Sequence, residues 1–149
     1  MRIHIGSDHA GFALKERVKE HLVAEGHDVT DVGTHSEESV DYPAYAVQVG
    51  RAVAKGESEL GVLVCGSGLG MEIAANKVHG VRAVQVIDPE FARMARLHNN
   101  ANVITLAGRY TDEATAFDIV DTFLTTPFEG GRHERRVEGI SEIEDGGGR

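Results

Sequence analysis

The stretch VLVCGSGLG, residues 62–70, puts the one cysteine of the chain at the end of an apolar run. Three glycines follow at alternate positions, Gly66, Gly68 and Gly70. A strand that runs into glycines and then into a helix forms a nest of backbone N–H groups. Such a nest binds anions and can stabilise a developing oxyanion. Cys65 and Ser67 lie in the same turn. A helix start and an amide nest favour negative charge, so a thiolate there can serve as nucleophile or general base. A lone cysteine that closes a buried strand is just as readily a small core residue. For Cys65 alone the two readings stand level.

Other chemistry-bearing residues occur at comparable places. In GSDHAG (6–11), Asp8 and His9 either cap the next helix or grip sugar hydroxyls or a phosphate. In LHNNAN (97–102), His98 is surrounded by Asn99, Asn100 and Asn102, and short polar residues before a buried strand point to a wet, shaped site. His21, His27, His35 and His79 read as surface bystanders. GGRHERRVE (130–138) is a dense basic patch in a chain of formal charge −9. Arg132 and Arg136 are four apart, hence on one helix face, where two guanidiniums make a phosphate clamp. Arg135 is a bystander or a third member, and Arg109 can join from elsewhere. The glycines depart from the dinucleotide pattern, with Met71 in place of the last glycine. Asp88 nevertheless stands where a ribose-binding carboxylate would, about 20 residues on. No Lys-Ser or Lys-Thr follows, so the Walker pattern fails. No metal-ligand spacing is present. A thiol base, a proton-handling histidine, an amide nest, a polar pair and an arginine clamp suit proton transfer beside a carbonyl on a small phosphorylated sugar.

These residues must be positioned by a scaffold, and the pattern around them is regular. Short apolar runs at 2–7, 29–33, 60–65, 82–87 and 102–108 read as strands. Helical patterns lie between them: Leu14, Val18 and Leu22 in a helix stopped at Gly26, then 41–56, 71–78, 89–100 and 111–127, the last stopped by Pro127. LGVLVC is apolar on both faces, as in a parallel sheet covered on both sides. A last helix over 133–144 reads as leaving the domain body, so its arginines can complete a neighbouring subunit's site. Five strands alternating with helices predict a parallel α/β sheet with right-handed crossovers and a ligand site outside the strands' carboxyl ends.

Composition sets the frame. The chain has 149 residues, of which 41% are hydrophobic. That suits a single domain over 1–149, with 145–149 read as a frayed tail. The negative charge argues against a nucleic-acid or anionic-membrane partner. One cysteine excludes an internal disulfide, and the start, MRIHIGSDH, has no signal-peptide pattern. The expectation is a reduced, cytoplasmic protein without a membrane partner.

Taken together, GSDHAGF, DYPAYA, CGSGLGMEIAANKV, RAV, HNNANV and GGRHERRVE resemble the type B ribose-5-phosphate isomerase family, in order and with its spacing from residue 2 to about 144. The wider family includes galactose-6-phosphate isomerase subunits. The resemblance implies a Rossmann-like three-layer α/β/α sandwich, a homodimer or higher oligomer with shared sites, no cofactor, and interconversion of ribose 5-phosphate and ribulose 5-phosphate. It implies Cys65 as the base that moves the proton between C1 and C2, and Ser67 as the hydroxyl assisting between O1 and O2. The backbone from Gly66 through Gly68 and Leu69 to Gly70 becomes the anion hole for a cis-enediolate. His98 opens the furanose ring with help from Asp8. Asp8, His9, Tyr42 and Asn99 contact substrate, and Arg109, Arg132 and Arg136 face the phosphate. One branch of the family replaces the cysteine by a glutamate just after the turn; here that position is Met71, which implies the thiol branch, with Glu72 pointing elsewhere. Two alternatives accompany this reading. One is the same chemistry on allose 6-phosphate, galactose 6-phosphate or a tetrose phosphate. The other is a non-catalytic nucleotide- or sugar-phosphate-binding module.

Overall fold

The computed structural model describes residues 1–147. Its elements are β1 (Arg2–Ser7), α1 (Phe12–Ala24), β2 (Asp28–Asp31), α2 (Pro43–Ala54), β3 (Leu60–Cys65), α3 (Leu69–Ala75), β4 (Ala83–Gln85), α4 (Pro89–Asn99), β5 (Val103–Ala107), α5 (Glu113–Thr125) and α6 (Glu134–Glu144). A single 3-10 turn, Gly131–His133, leads into α6. All strand pairs are parallel, in the order β2-β1-β3-β5-β4. The parallel sheet expected from the alternation is therefore observed, within the α/β/α sandwich that the resemblance implied.

β3 is central because it can be covered on both faces. Leu60, Val62 and Val64 enter a core shared with α1, α4 and α5, while Leu63 and Cys65 enter a second core under α2 and α3. Gly61 lets α2 approach closely, since a Cβ there would lie 2.6 Å from Val49 Cγ1. β4 is shorter than its apolar run because it is an edge strand with one neighbour, pairing only over Ala83–Gln85. β2, on the other edge, ends at Asp31, whose side chain turns back to accept from the Gly33 N–H at 2.9 Å.

α3 starts two residues earlier than its apolar pattern. Gly68 adopts a φ of 81° at its N-cap, which favours glycine. Helical geometry therefore begins at Leu69. α3 also ends early, at Ala75. The Asn76 side chain leaves it to exchange two 2.8 Å hydrogen bonds with the Ala83 backbone.

Every residue of α6 keeps some exposure, with Ile143 65% exposed, as expected of a helix that leaves the domain body. Its far end is held by the Gly80 N–H donating to Glu144 (3.0 Å to Oε2) and by His79 beside Asp145 at 3.0 Å. Gly146 and Gly147 donate to Ile143 and Glu142 and close α6. The remaining two residues of the expected frayed tail lie outside the described residues. Among the described residues, no helix is long and apolar enough to cross a membrane.

Candidate active site

β1 and β3 are neighbours, yet the chain leaves them toward opposite sides of the sheet, to β2 and toward β5. Loops diverging at such a point leave a crevice at the carboxyl ends. The crevice is a cleft of about 290 Å³ lined by Asp8, His9, Tyr42, Cys65, Ser67 and Arg109, with Ala10, Gly66, Gly70 and Tyr110.

Cys65 ends β3 and is 4% exposed. The glycine turn doubles back so that the Gly68 N–H donates to its Sγ at 3.2 Å. The Leu69 N–H donates to Ser67 Oγ at 3.3 Å. The carbonyls of the turn are tied elsewhere: Gly66 O accepts from the Arg109 N–H, Ser67 O from Gln85 Nε2, and Gly68 O from Thr105 Oγ1. With its carbonyls occupied, the turn holds the Gly68 and Leu69 N–H groups on its own sulfur and hydroxyl, at the cleft wall.

The other walls are equally constrained. Asp8 accepts from the Gly11 N–H at 2.9 Å, so it caps the turn into α1 and lines the cleft at once. His9 Nδ1 faces the Val40 backbone, 3.2 Å from its N–H and 3.3 Å from its carbonyl oxygen, which holds the ring in the cleft wall. Tyr42 packs its ring on Gly70, where a Cβ would come within 2.6 Å of Tyr42 Cζ. Arg109 lies over Gly66, its Nη1 only 3.0 Å from where a Cβ would be. A cation beside a thiol and an amide nest makes this cleft a receptor for a small anionic, carbonyl-bearing molecule.

Met71, where one branch of the family would carry its glutamate, is fully buried. Glu72 points away as expected, accepting the Gln85 N–H at 3.1 Å.

The remaining candidates lie elsewhere in the chain. α4 crosses from the carboxyl end of β4 back to the amino end of β5, so His98 and Asn99 emerge at the opposite edge of the sheet from Cys65. The direction of α4 thus sets His98 and Asn99 apart from the strand-end residues of their own chain. β5 alone separates the two edges by four strand steps, about 13 Å. Asn99 lines a second hollow of about 190 Å³ with Asn76, Arg82 and Ile140. The neighbouring asparagines are structural: Asn102 bridges the Arg82 N–H (2.7 Å) and Gly80 O (2.8 Å), and Asn100 caps α4 at a φ of 46°. Arg132, Arg135 and Arg136 are exposed at the start of α6.

Asp88, the candidate ribose carboxylate of a dinucleotide site, instead caps α4 by accepting the Phe91 N–H at 2.9 Å. That removes the main support for a dinucleotide reading. His21 is no bystander, because it stacks on Phe117 and meets Asp121 at 2.8 Å. Tyr110, 81% exposed at the cleft mouth, escaped the sequence reading; its place after the β5 end was the available signal.

The profile of the Ribose/Galactose Isomerase family matches residues 3–140. The chain belongs to this family. A ribose-5-phosphate isomerase B of Escherichia coli (strain K12) is 48% identical over 143 residues, covering 96% of each chain. The crystal structure of a ribose 5-phosphate isomerase from Thermotoga maritima superposes with a TM-score of 0.93 at 55% identity, covering 95% of this chain and 97% of that one. The Mycoplasma genitalium ribose-5-phosphate isomerase B, solved with bound ribulose-5-phosphate, superposes with a TM-score of 0.93 at 42% identity, covering 97% and 96%.

Proposed function

We propose that the protein is an aldose–ketose isomerase that interconverts ribose 5-phosphate and ribulose 5-phosphate. The observation that carries the reading is the Cys65 thiol held against the amide nest, with Arg109 above it, in a family whose full-length relatives are named for this reaction.

The chemistry follows from the acidity of the substrate. The C2 proton of an open-chain aldose is weakly acidic, so a base alone is not enough. Cys65 takes the proton from C2 and returns it to C1. Ser67 moves the proton between O1 and O2. The Gly66–Gly70 amides hold the enediolate oxygen, where such a donor is worth roughly 3–4 kcal/mol. A positioned base adds about 10²–10⁴-fold. The phosphate takes no part in bond breaking; its binding to arginine fixes the reacting carbons over the thiol. His9 and Tyr42 hold the sugar from the walls of the cleft.

Ring opening and most of the phosphate clamp are assigned to His98, Asn99, Arg132 and Arg136. These lie at the wrong edge of the sheet to serve Cys65 of the same chain. We therefore assign them to the site of a second copy, in a homodimer with shared sites. The exposed Leu69 and Ile73 of α3, next to the glycine turn, and Ile140 and Ile143 of α6 provide apolar surface for such a contact.

Incubation with ribose 5-phosphate in D₂O tests the reading. Ribulose 5-phosphate should form, with deuterium entering at the carbon that exchanges its proton. Absence of product from folded protein would reject ribose 5-phosphate as substrate and redirect the assay to other phosphosugars.

A further inference from the structure

A second cluster of proton-handling groups surrounds His98. The rings of His98 and His133 stack with centroids 4.2 Å apart and planes 12° apart. His133 is 5% exposed, although Arg132 and Glu134 beside it are exposed. Glu129 Oε2 lies 3.7 Å from His98 Nε2 and 3.6 Å from His133 Nε2, so one carboxylate serves both rings. The arrangement is tied to α4 by its backbone. The Glu129 N–H donates to Leu97 O at 3.1 Å, and Arg96 Nε donates to Thr126 O at 3.2 Å. The 126–133 segment is thus fastened to the turn that carries His98.

His98, Glu129 and His133 bring three ligand-type atoms within 4.8 Å of one another. Parallel rings, however, send their Nε2 lone pairs side by side rather than to one point. The geometry suits control of a proton better than capture of a metal. Two stacked imidazoles do not readily both carry charge. Burial, with the positive neighbours His98, Arg132 and Arg136, holds His133 below the ordinary histidine value against the pull of Glu129. His133 therefore remains a flat neutral partner for the His98 ring.

We propose that His133 and Glu129 are positioning residues for His98 in opening the sugar ring. The proposal rests on the assignment of ring opening to His98 above. In that step the bond from C1 to the ring oxygen breaks, the ring oxygen gains a proton, and the O1 hydroxyl loses one as the C1 carbonyl forms. An imidazole donates and accepts in its own plane, so the plane must face the ring oxygen. Stacking on His133 fixes the plane. Glu129 places a negative charge beside the ring edge and balances the charge when His98 is protonated.

Ribulose 5-phosphate supplies the discriminating assay. Its 5-oxygen is esterified, so it cannot close a furanose, and solvent exchange at its C1 needs Cys65 but no ring opening. His133→Ala should lower turnover of ribose 5-phosphate by about ten- to a hundredfold, the scale of a misplaced catalytic group. Deuterium exchange into ribulose 5-phosphate should stay within about twofold of wild type, because the thiol and nest are untouched. His133→Phe keeps a flat face of similar volume and should recover most of the turnover. Glu129→Gln should lose turnover and keep exchange. Equal loss in both assays, or unchanged turnover in His133→Ala, would overturn the proposal. Wild-type protein inert toward both sugars would instead overturn the isomerase reading, a result distinct from any split between the assays.

Discussion

Cys65 is useful because of what its neighbours cannot be. Gly68 needs its positive φ to aim an N–H at Sγ, and Gly70 must lack a side chain so that Tyr42 can close the wall. Cys65→Ala should abolish solvent exchange while the protein still binds ribose 5-phosphate in calorimetry, since the arginines are unchanged. Persistent exchange would move the base elsewhere. Gly70→Ala should displace the Tyr42 ring and cut kcat/KM by about tenfold or more, as expected from a shifted wall at a reacting centre. Steady-state kinetics beside a melting curve separates this from unfolding.

Elements rather than single residues hold the cleft's outer wall. Lys15 of α1 is fully buried and donates to both Asp31 oxygens, at 2.9 and 2.8 Å, and to Thr34 O at 2.7 Å. This joins α1 to the end of β2 and to the segment that goes on to Val40 and Tyr42. Lys15→Met would remove the buried partner of Asp31 and leave it only Lys19 and the Gly33 N–H, a loss of charged hydrogen bonds that costs about 1.5–3 kcal/mol. Urea denaturation should register it as a lower midpoint. Burial works to raise the Asp31 carboxyl, but Lys15, Lys19 and the Gly33 N–H outweigh it and hold it below the ordinary range. Glu16, also opposed by burial, is held down by Lys19 and Lys15. Both carboxyls thus have depressed folded values. Their contribution is full above the unfolded value of about 4 and is lost as pH falls below it toward the folded values. Stability curves should converge for wild type and Lys15→Met at acid pH; a constant gap would exclude this pairing as the cause.

At the scale of the molecule, the candidate site residues of one chain fall at two ends of the sheet. Cys65, Asp8 and His9 lie at the carboxyl edge of the sheet, while His98 and the α6 arginines belong to the other end. If a second copy unites them, Cys65→Ala and His98→Ala proteins should complement. Unfolding and refolding the inactive variants together in equal amounts should restore about a quarter of wild-type activity, because half the dimers are mixed and each holds one intact site. No recovery, with mixed dimers demonstrated by mass, would place both groups in one chain's site.

Much of this was legible in the amino-acid order because it depends on local pattern. Apolar runs alternating with helical spacing specify a parallel α/β sheet, and Gly66, Gly68 and Gly70 after LGVLVC mark the turn that cradles the thiol. Asp8, His9, Ser67 and Arg109 were likewise readable as candidates, since each follows a strand end, whereas Tyr42 was implied by the family resemblance alone. Residue types and spacing could not say which way α4 returns His98, because that depends on which strands are neighbours. Nor could they distinguish Asp88 as a helix cap from Asp88 as a ligand, or find the His133 ring on His98. The His98–His133 stack joins distant segments that only the packing of the helices against the sheet brings within reach, whereas the Asp88 cap is local, and a capping carboxylate and a ligand carboxylate look alike in sequence.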